Sequence, residues 1–170
     1  VFFDAGISDI LYAVCIPAPK LAQARALRER GCGLKVVVDS VVAAQAIVAT
    51  GHAFEVLIEI DTDGHRAGVK PDADLLLDIA RTLHAGGAVL TGVMTHAGAS
   101  YECRTPEALR AMAEQERSRC VRAAASARWW GWGSRPASPG CASASWWRCA
   151  VCMASRCWPR WWGSTGPTPR

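Results

Sequence analysis

Along the first 125 positions, short apolar runs alternate with segments of helical period. DILYAVCI, residues 9–16, reads as a buried strand. Pro17 and Pro19 lead into PKLAQARALRERG, where Leu21, Ala24 and Leu27 keep helical spacing and Gly31 provides a stop. LKVVVD, residues 34–39, predicts a second strand. Ser40 can cap the helix SVVAAQAIVATG that follows, and Gly51 ends it. FEVLIEID, residues 54–61, predicts a third strand, and PDADLLLDIARTLHAGG, residues 71–87, an amphipathic helix with acids in its first turn. AVLTGVMTH, residues 88–96, predicts the fourth strand. TPEALRAMAEQERSRCVRAA, residues 105–124, predicts the fourth helix, with Thr105 as cap, Pro106 in the first position, and Glu116 and Arg119 on its surface.

Repeated strand–helix units imply parallel strands joined by crossover helices. The nearly continuous apolar strands suit a sheet covered on both faces. Two α/β architectures satisfy this pattern: part of a (β/α)₈ barrel of the TIM type, or an open doubly wound sheet. No Gly-rich phosphate fingerprint follows any of the strands, which counts against a dinucleotide-binding fold. A complete barrel needs about 250 residues, so these four units would make about half of one. The sequence starts without Met, as if inside a longer one, and half a barrel would leave open strand edges prone to self-association.

Composition changes abruptly near residue 125. Residues 1–120 hold all 15 acids and 12 of the 19 Lys and Arg, whereas residues 121–170 hold seven Arg and no acid. All eight Trp lie between Trp129 and Trp162. We therefore expect a folded unit over 1–125 and an irregular Trp/Arg/Cys-rich tail over 126–170, out of frame or disordered. A Val-rich strand read one base late yields Trp, because GTG becomes TGG, and WWGWGS fits that reading. Stacking of the tail on single-stranded nucleic acid or its adsorption to an anionic membrane is the rival reading. The pair Cys149 and Cys152 lacks the second pair that a zinc site needs. Cys15, Cys32, Cys103 and Cys120 are scattered, as reduced thiols of a cytoplasmic protein would be. No apolar stretch reaches the roughly 18 residues of a membrane span, and no basic leader opens the chain.

Polar residues gather where strands end. Asp39 and Ser40 close the second strand; Asp61, Asp63, His65 and Arg66 follow the third; His96, Ser100 and Tyr101 follow the fourth. In a parallel barrel that rim is where chemistry is built. Each has a structural alternative: a helix cap at Asp39–Ser40, a turn at Asp61 and Asp63, an ion pair between Arg66 and one of those carboxylates. His52 and His84 sit at helix ends and read as surface residues. His96 reads as a buried histidine, which needs partners.

The blocks AGISDILYAVCIPAPKL, VVVDS, IEIDTDGHRAGV and LTGVMTHAGASYE, in that order and spacing, resemble the D-threonine aldolase and D-serine dehydratase family, whose barrel is shared with the alanine racemase N-terminal domain. The resemblance implies a fold-type III barrel that binds pyridoxal 5′-phosphate (PLP). It implies cofactor contacts from Arg66 and from Tyr101 and His96, the last two with catalytic roles. The substrate it implies is a D-configured β-hydroxy amino acid, cleaved or dehydrated, and the same barrel also serves racemases and PLP carriers. The family often adds a divalent metal through a C-terminal β domain; no metal ligand is assigned in this chain, and a homodimer of the full-length parent is allowed. Gly133 and Ser134 stand where a phosphate loop would be. The lysine that holds the cofactor covalently is not recognisable: Lys20, Lys35 and Lys70 are poorly placed, so this chain is expected to be an inactive fragment. Neither nucleic acid nor membrane is the expected partner.

Overall fold

A computed structural model describes residues 1–128. Four strands, β1 (Asp9–Cys15), β2 (Gly33–Val38), β3 (Glu55–Ile60) and β4 (Val89–Thr95), form one sheet. Its order is β1-β2-β3-β4 and every neighbouring pair is parallel. Helices α1 (Leu21–Glu29), α2 (Val41–Ala49), α3 (Asp74–Ala85) and α4 (Pro106–Arg128) follow the strands in turn. Strand order equal to chain order, with no reversal, is the arrangement of a barrel wall rather than of a doubly wound sheet. The fold is therefore α/β, a partial (β/α)₈ barrel of four strand–helix units.

Alternation along the strands sends one set of side chains to the helices. Val36 and Val38 of β2 and Val56, Ile58 and Ile60 of β3 are at most 1% exposed and pack with Ile47, Leu76, Ile79 and Leu83 from α2 and α3. Burying each such side chain contributes about 1.5–3 kcal/mol, which makes this layer the main source of stability. Local signals set the helix ends. The Ser40 hydroxyl accepts from the Ala43 N–H at 3.3 Å, and the Thr105 hydroxyl accepts from the Ala108 N–H at 3.2 Å. Cys15, Cys32, Cys103 and Cys120 are free thiols.

Three expectations about the elements and their surfaces need correction, and a fourth, on His96, concerns the site. The first strand is an edge, not a buried strand: Leu11 is 38% and Val14 58% exposed, because β2 is its sole partner among the described residues. His52 is half-buried, its ring edge-on to Phe54 at 4.8 Å. Glu116 and Arg119 are likewise half-buried and bonded to backbone. Gly133 and Ser134, and the tail from residue 129 onward, lie outside the described residues.

His52 belongs to a latch at the N-terminal rim of the sheet. Arg28 Nε donates to His52 Nε2 at 3.3 Å, and its Nη1 donates to the Leu34 carbonyl at 2.6 Å and meets Glu55 at 3.5 Å. An Nε2 that accepts from arginine must be unprotonated. Burial, then the charges of Arg28 and Arg25, hold His52 below its ordinary value of 6.5 against the weaker pull of Glu29. A histidine depressed in the folded state is neutral there while the unfolded chain takes up a proton. Its contribution is thus intact above pH 6.5 and is lost as pH falls below it, down to the depressed folded value. The urea midpoint is expected to fall between pH 7.5 and 5.5, and less steeply in His52→Gln. Identical slopes in the two proteins would contradict this.

Candidate active site

The loop after β3 is built by its own polar side chains. The Asp61 carboxylate accepts from the N–H of Asp63 at 3.3 Å and of Gly64 at 2.7 Å. The chain then returns to the strand end, where the Asp61 N–H donates to the Val69 carbonyl at 2.9 Å and the Val69 N–H to the Glu59 carbonyl at 2.8 Å. Gly68 makes this return with φ +121°, packed so closely that a Cβ would lie 2.6 Å from the Asp61 nitrogen. The result is a closed loop that presents His65 and Arg66 at the rim.

The loop after β4 is tied to it. Asp63 accepts from the Ala99 N–H at 2.8 Å, and the hydroxyls of Thr62 and Thr95 lie 2.9 Å apart. Burial works against the ionised Asp63, yet the N–H groups of Ala99 and His65 and the adjacent His65 ring hold its carboxyl below the ordinary range. Gly98 is the point of closest approach: a Cβ there would sit 2.5 Å from Arg66 Cγ. The stem of Arg66 crosses the backbone at Gly98, so the glycine fixes the path of the arginine.

Between these loops, at the C-terminal ends of β1, β3 and β4, lies a cavity of about 300 Å³ lined by Cys15, Glu59, Arg66, Met94 and His96, among others. That volume is at the lower end of those that hold small ligands. Glu59 is only 8% exposed, and the Cys15 thiol donates to its Oε2 at 3.1 Å. Burial, then the Glu59 and Asp39 carboxylates, push the Cys15 thiol well above its ordinary range, so it stays protonated. The cavity thus sets an acidic wall against a cationic mouth, an asymmetry suited to a polar, charged ligand.

Sequence reasoning placed Arg66 and His96 at one rim, and both line the cavity. His96 is exposed rather than buried. Its Nε2 lies 3.1 Å from the Tyr101 hydroxyl, with ring centroids 5.6 Å apart. Tyr101, 65% exposed, stands behind His96 and reaches the cavity through it. Arg66 forms no ion pair among the described residues, whereas Asp61 and Asp63 are turn formers. Ser40 is spent on its helix cap. Cys15 and Glu59 were missed. The available signal was an acid at the inward position of the apolar run VLIEI, the alternate to Ile58 and Ile60. Among the described residues no cluster of three or more His, Cys, Asp or Glu side chains could hold a metal ion, and no helix is long and apolar enough to cross a membrane.

A family model described as alanine racemase, N-terminal domain, matches residues 5–149. The chain is 62% identical over 132 residues to a D-threo-3-hydroxyaspartate dehydratase of Delftia sp. (strain HT23), covering 75% of this chain and 35% of that enzyme. The solved structure of that dehydratase superposes with a TM-score of 0.73 over the same shares. A solved alanine racemase-like protein from Idiomarina loihiensis is 44% identical with a TM-score of 0.68, over 72% of this chain and 33% of that one. A D-serine dehydratase of Dictyostelium discoideum is 28% identical over 127 residues, covering 68% of this chain and 32% of the enzyme. The chain therefore spans about a third of the length of these relatives. With its unreversed parallel strands, its cavity at their C-terminal ends and a family match over most of its length, this chain belongs to the alanine racemase N-terminal domain family of fold-type III PLP proteins.

Proposed function

We propose that this chain is the cofactor-facing part of a PLP-dependent dehydratase for D-configured β-hydroxy amino acids. The observation that carries the reading is the convergence of Arg66, Glu59 and His96 on one cavity, in a chain 62% identical to a D-threo-3-hydroxyaspartate dehydratase. The net reaction converts a β-hydroxy amino acid into a 2-oxo acid and ammonia. The Cα proton and the β-hydroxyl leave as water, and one water returns when the enamine is hydrolysed.

The cavity fits the non-covalent side of the cofactor's site. Arg66, held over Gly98, presents a permanently charged planar fork that can bind an anionic oxygen in two places. Glu59 supplies a buried acceptor in the same cavity. When bound, PLP supplies an electron sink for the pair left at Cα. His96 can hold or pass a proton at Nε2, and the Tyr101 hydroxyl, 3.1 Å away, can exchange that proton with it. Positioned acid–base help of this kind is worth roughly 10²–10⁴-fold in rate. The lysines do not complete the site. Lys20 donates to the Tyr12 hydroxyl at 3.1 Å, Lys35 pairs with Asp9 at 2.6 Å at the opposite end of the strands, and Lys70 is exposed beyond the loop.

Two measurements test this. The chain, given one equivalent of PLP and then borohydride, is expected to carry no pyridoxyl group on Lys20, Lys35 or Lys70. A label on one of them that disappears in Arg66→Ala would show that the chain has its own covalent lysine. The coding DNA, translated in all frames upstream and downstream, supplies the parent polypeptide for assay. We expect ammonia and a 2-oxo acid from D-threo-3-hydroxyaspartate or D-serine. Glycine and an aldehyde from D-threonine would make the parent an aldolase, and interconversion of alanine enantiomers alone would make it a racemase.

A further inference from the structure

Helix α4 reaches the two rim loops through three side chains on one flank. The Glu116 carboxylate accepts from the Ala97 N–H at 3.0 Å. Gln115 Nε2 and Arg119 Nη1 both donate to the Thr62 carbonyl, at 3.1 and 2.6 Å. Ala97 immediately precedes Gly98, over which the Arg66 stem passes, and immediately follows His96. Thr62 opens the loop that carries Arg66, and its own side chain is fully buried against Thr95. One helical turn therefore grips both strand-end loops by their backbones, and the loops are joined to each other through Asp63 and Ala99. Among the described side chains, the other α4 charges are spent otherwise: Arg110 pairs with Glu107, Arg117 with Glu114 and Arg122 with Asp72, all of them exposed.

We propose that Glu116, with Gln115 and Arg119, forms a clamp that positions Arg66 and His96 for ligand binding in the cavity. Its bearing on PLP rests on the reading of that cavity as the cofactor site; the clamp itself does not. A bare helix–loop contact would affect only the amides it touches. A clamp closed through Asp63 and Ala99 transmits its loss from one loop to the other, because the two loops are bonded to each other there and at the Thr62 and Thr95 hydroxyls.

The test is amide hydrogen exchange on the full chain, residue by residue, for wild type, Glu116→Ala, Glu116→Gln and Arg122→Ala. Losing a hydrogen bond to a charged acceptor loosens its partner by about tenfold or more. In Glu116→Ala we expect exchange to rise by about tenfold at residues 97–101 and also at residues 62–68, with β2 and β3 unchanged. Glu116→Gln retains an acceptor oxygen and is expected to stay close to wild type, as is Arg122→Ala. A rise confined to Ala97, or an equal rise in Glu116→Gln, overturns the clamp. If Glu116→Ala does not fold, Arg119→Met decides by the same readout, since it releases Thr62 while sparing Ala97. PLP titration of the same proteins separates the two ideas. Failure of wild type to bind overturns the cofactor site and leaves exchange to judge the clamp. Wild-type affinity in a Glu116→Ala protein with loosened loops overturns the claim that the clamp serves binding.

Discussion

Gly68→Ala is expected to lower the stability of this chain by roughly 2–6 kcal/mol and to abolish ligand binding at the cavity. Two costs add at that position. The residue has φ +121°, where an L side chain is strained by about 1–3 kcal/mol. A Cβ would also stand 2.6 Å from the Asp61 nitrogen and 2.8 Å from the Ile60 carbonyl carbon. Both are backbone atoms at the end of a buried strand, so neither can swing aside as a flexible side chain would, and overpacking adds about another 1–3 kcal/mol. Relief would come from opening the Ile60–Val69 bridge, which would release the loop that carries Arg66. Urea unfolding reads the stability, and PLP titration of the remaining folded protein reads the site. A loss of less than about 1 kcal/mol would mean that the loop does not close on β3 as described.

Arg66→Ala is expected to cost roughly 10- to 150-fold in affinity for PLP while leaving the urea midpoint unchanged, the equivalent of about 1.5–3 kcal/mol for one charge-assisted hydrogen bond. The side chain is exposed at the cavity mouth and forms no ion pair among the described residues, so its removal leaves no buried charge unpaired. Arg66→Lys is expected to recover only part of the affinity, because an ammonium cannot present the planar fork. Fluorescence titration checks both variants. Equal affinity in wild type and Arg66→Ala would remove the arginine from the site.

These two residues also show what could be read from the chain before any coordinates. DTDGHRAG was legible as a polar loop at a strand end, with site residues and a turn at Asp61 and Asp63 as rival readings; Gly68 and Asp61 take the turn roles, and Arg66 lines the cavity. The strand–helix repeat was equally legible, because buried β2 and β3 are apolar at nearly every position and Ser40 and Thr105 are local caps. Exposure of β1 was not legible: an apolar run records that a strand exists, not whether a neighbour lies on each side of it. Glu116 and Arg119 were missed for a similar reason. Their spacing is that of an ordinary solvated helix face, and only packing of α4 against β4 shows that their partners are the Thr62 carbonyl and the Ala97 N–H. Glu59 was hidden within a hydrophobic run, and its hydrogen bond from Cys15 at the cavity is a long-range contact that the run does not announce. His96 and Tyr101 were read as site residues of one block, but not as bonded partners, and burial was wrongly attached to His96: it lies one residue past the end of β4, where the strand has already left the sheet.

The most direct measurement is a titration of the isotopically labelled chain with PLP, followed by NMR at each amide and at the His96 ring. The expected result is a saturable set of shifts at Cys15, Glu59, Arg66 and residues 95–98, with the latch around Arg28 and His52 unmoved. Shifts that cluster instead around Lys35 and the N-terminal rim, or none that saturate, would contradict a cofactor cavity at the C-terminal ends of the strands.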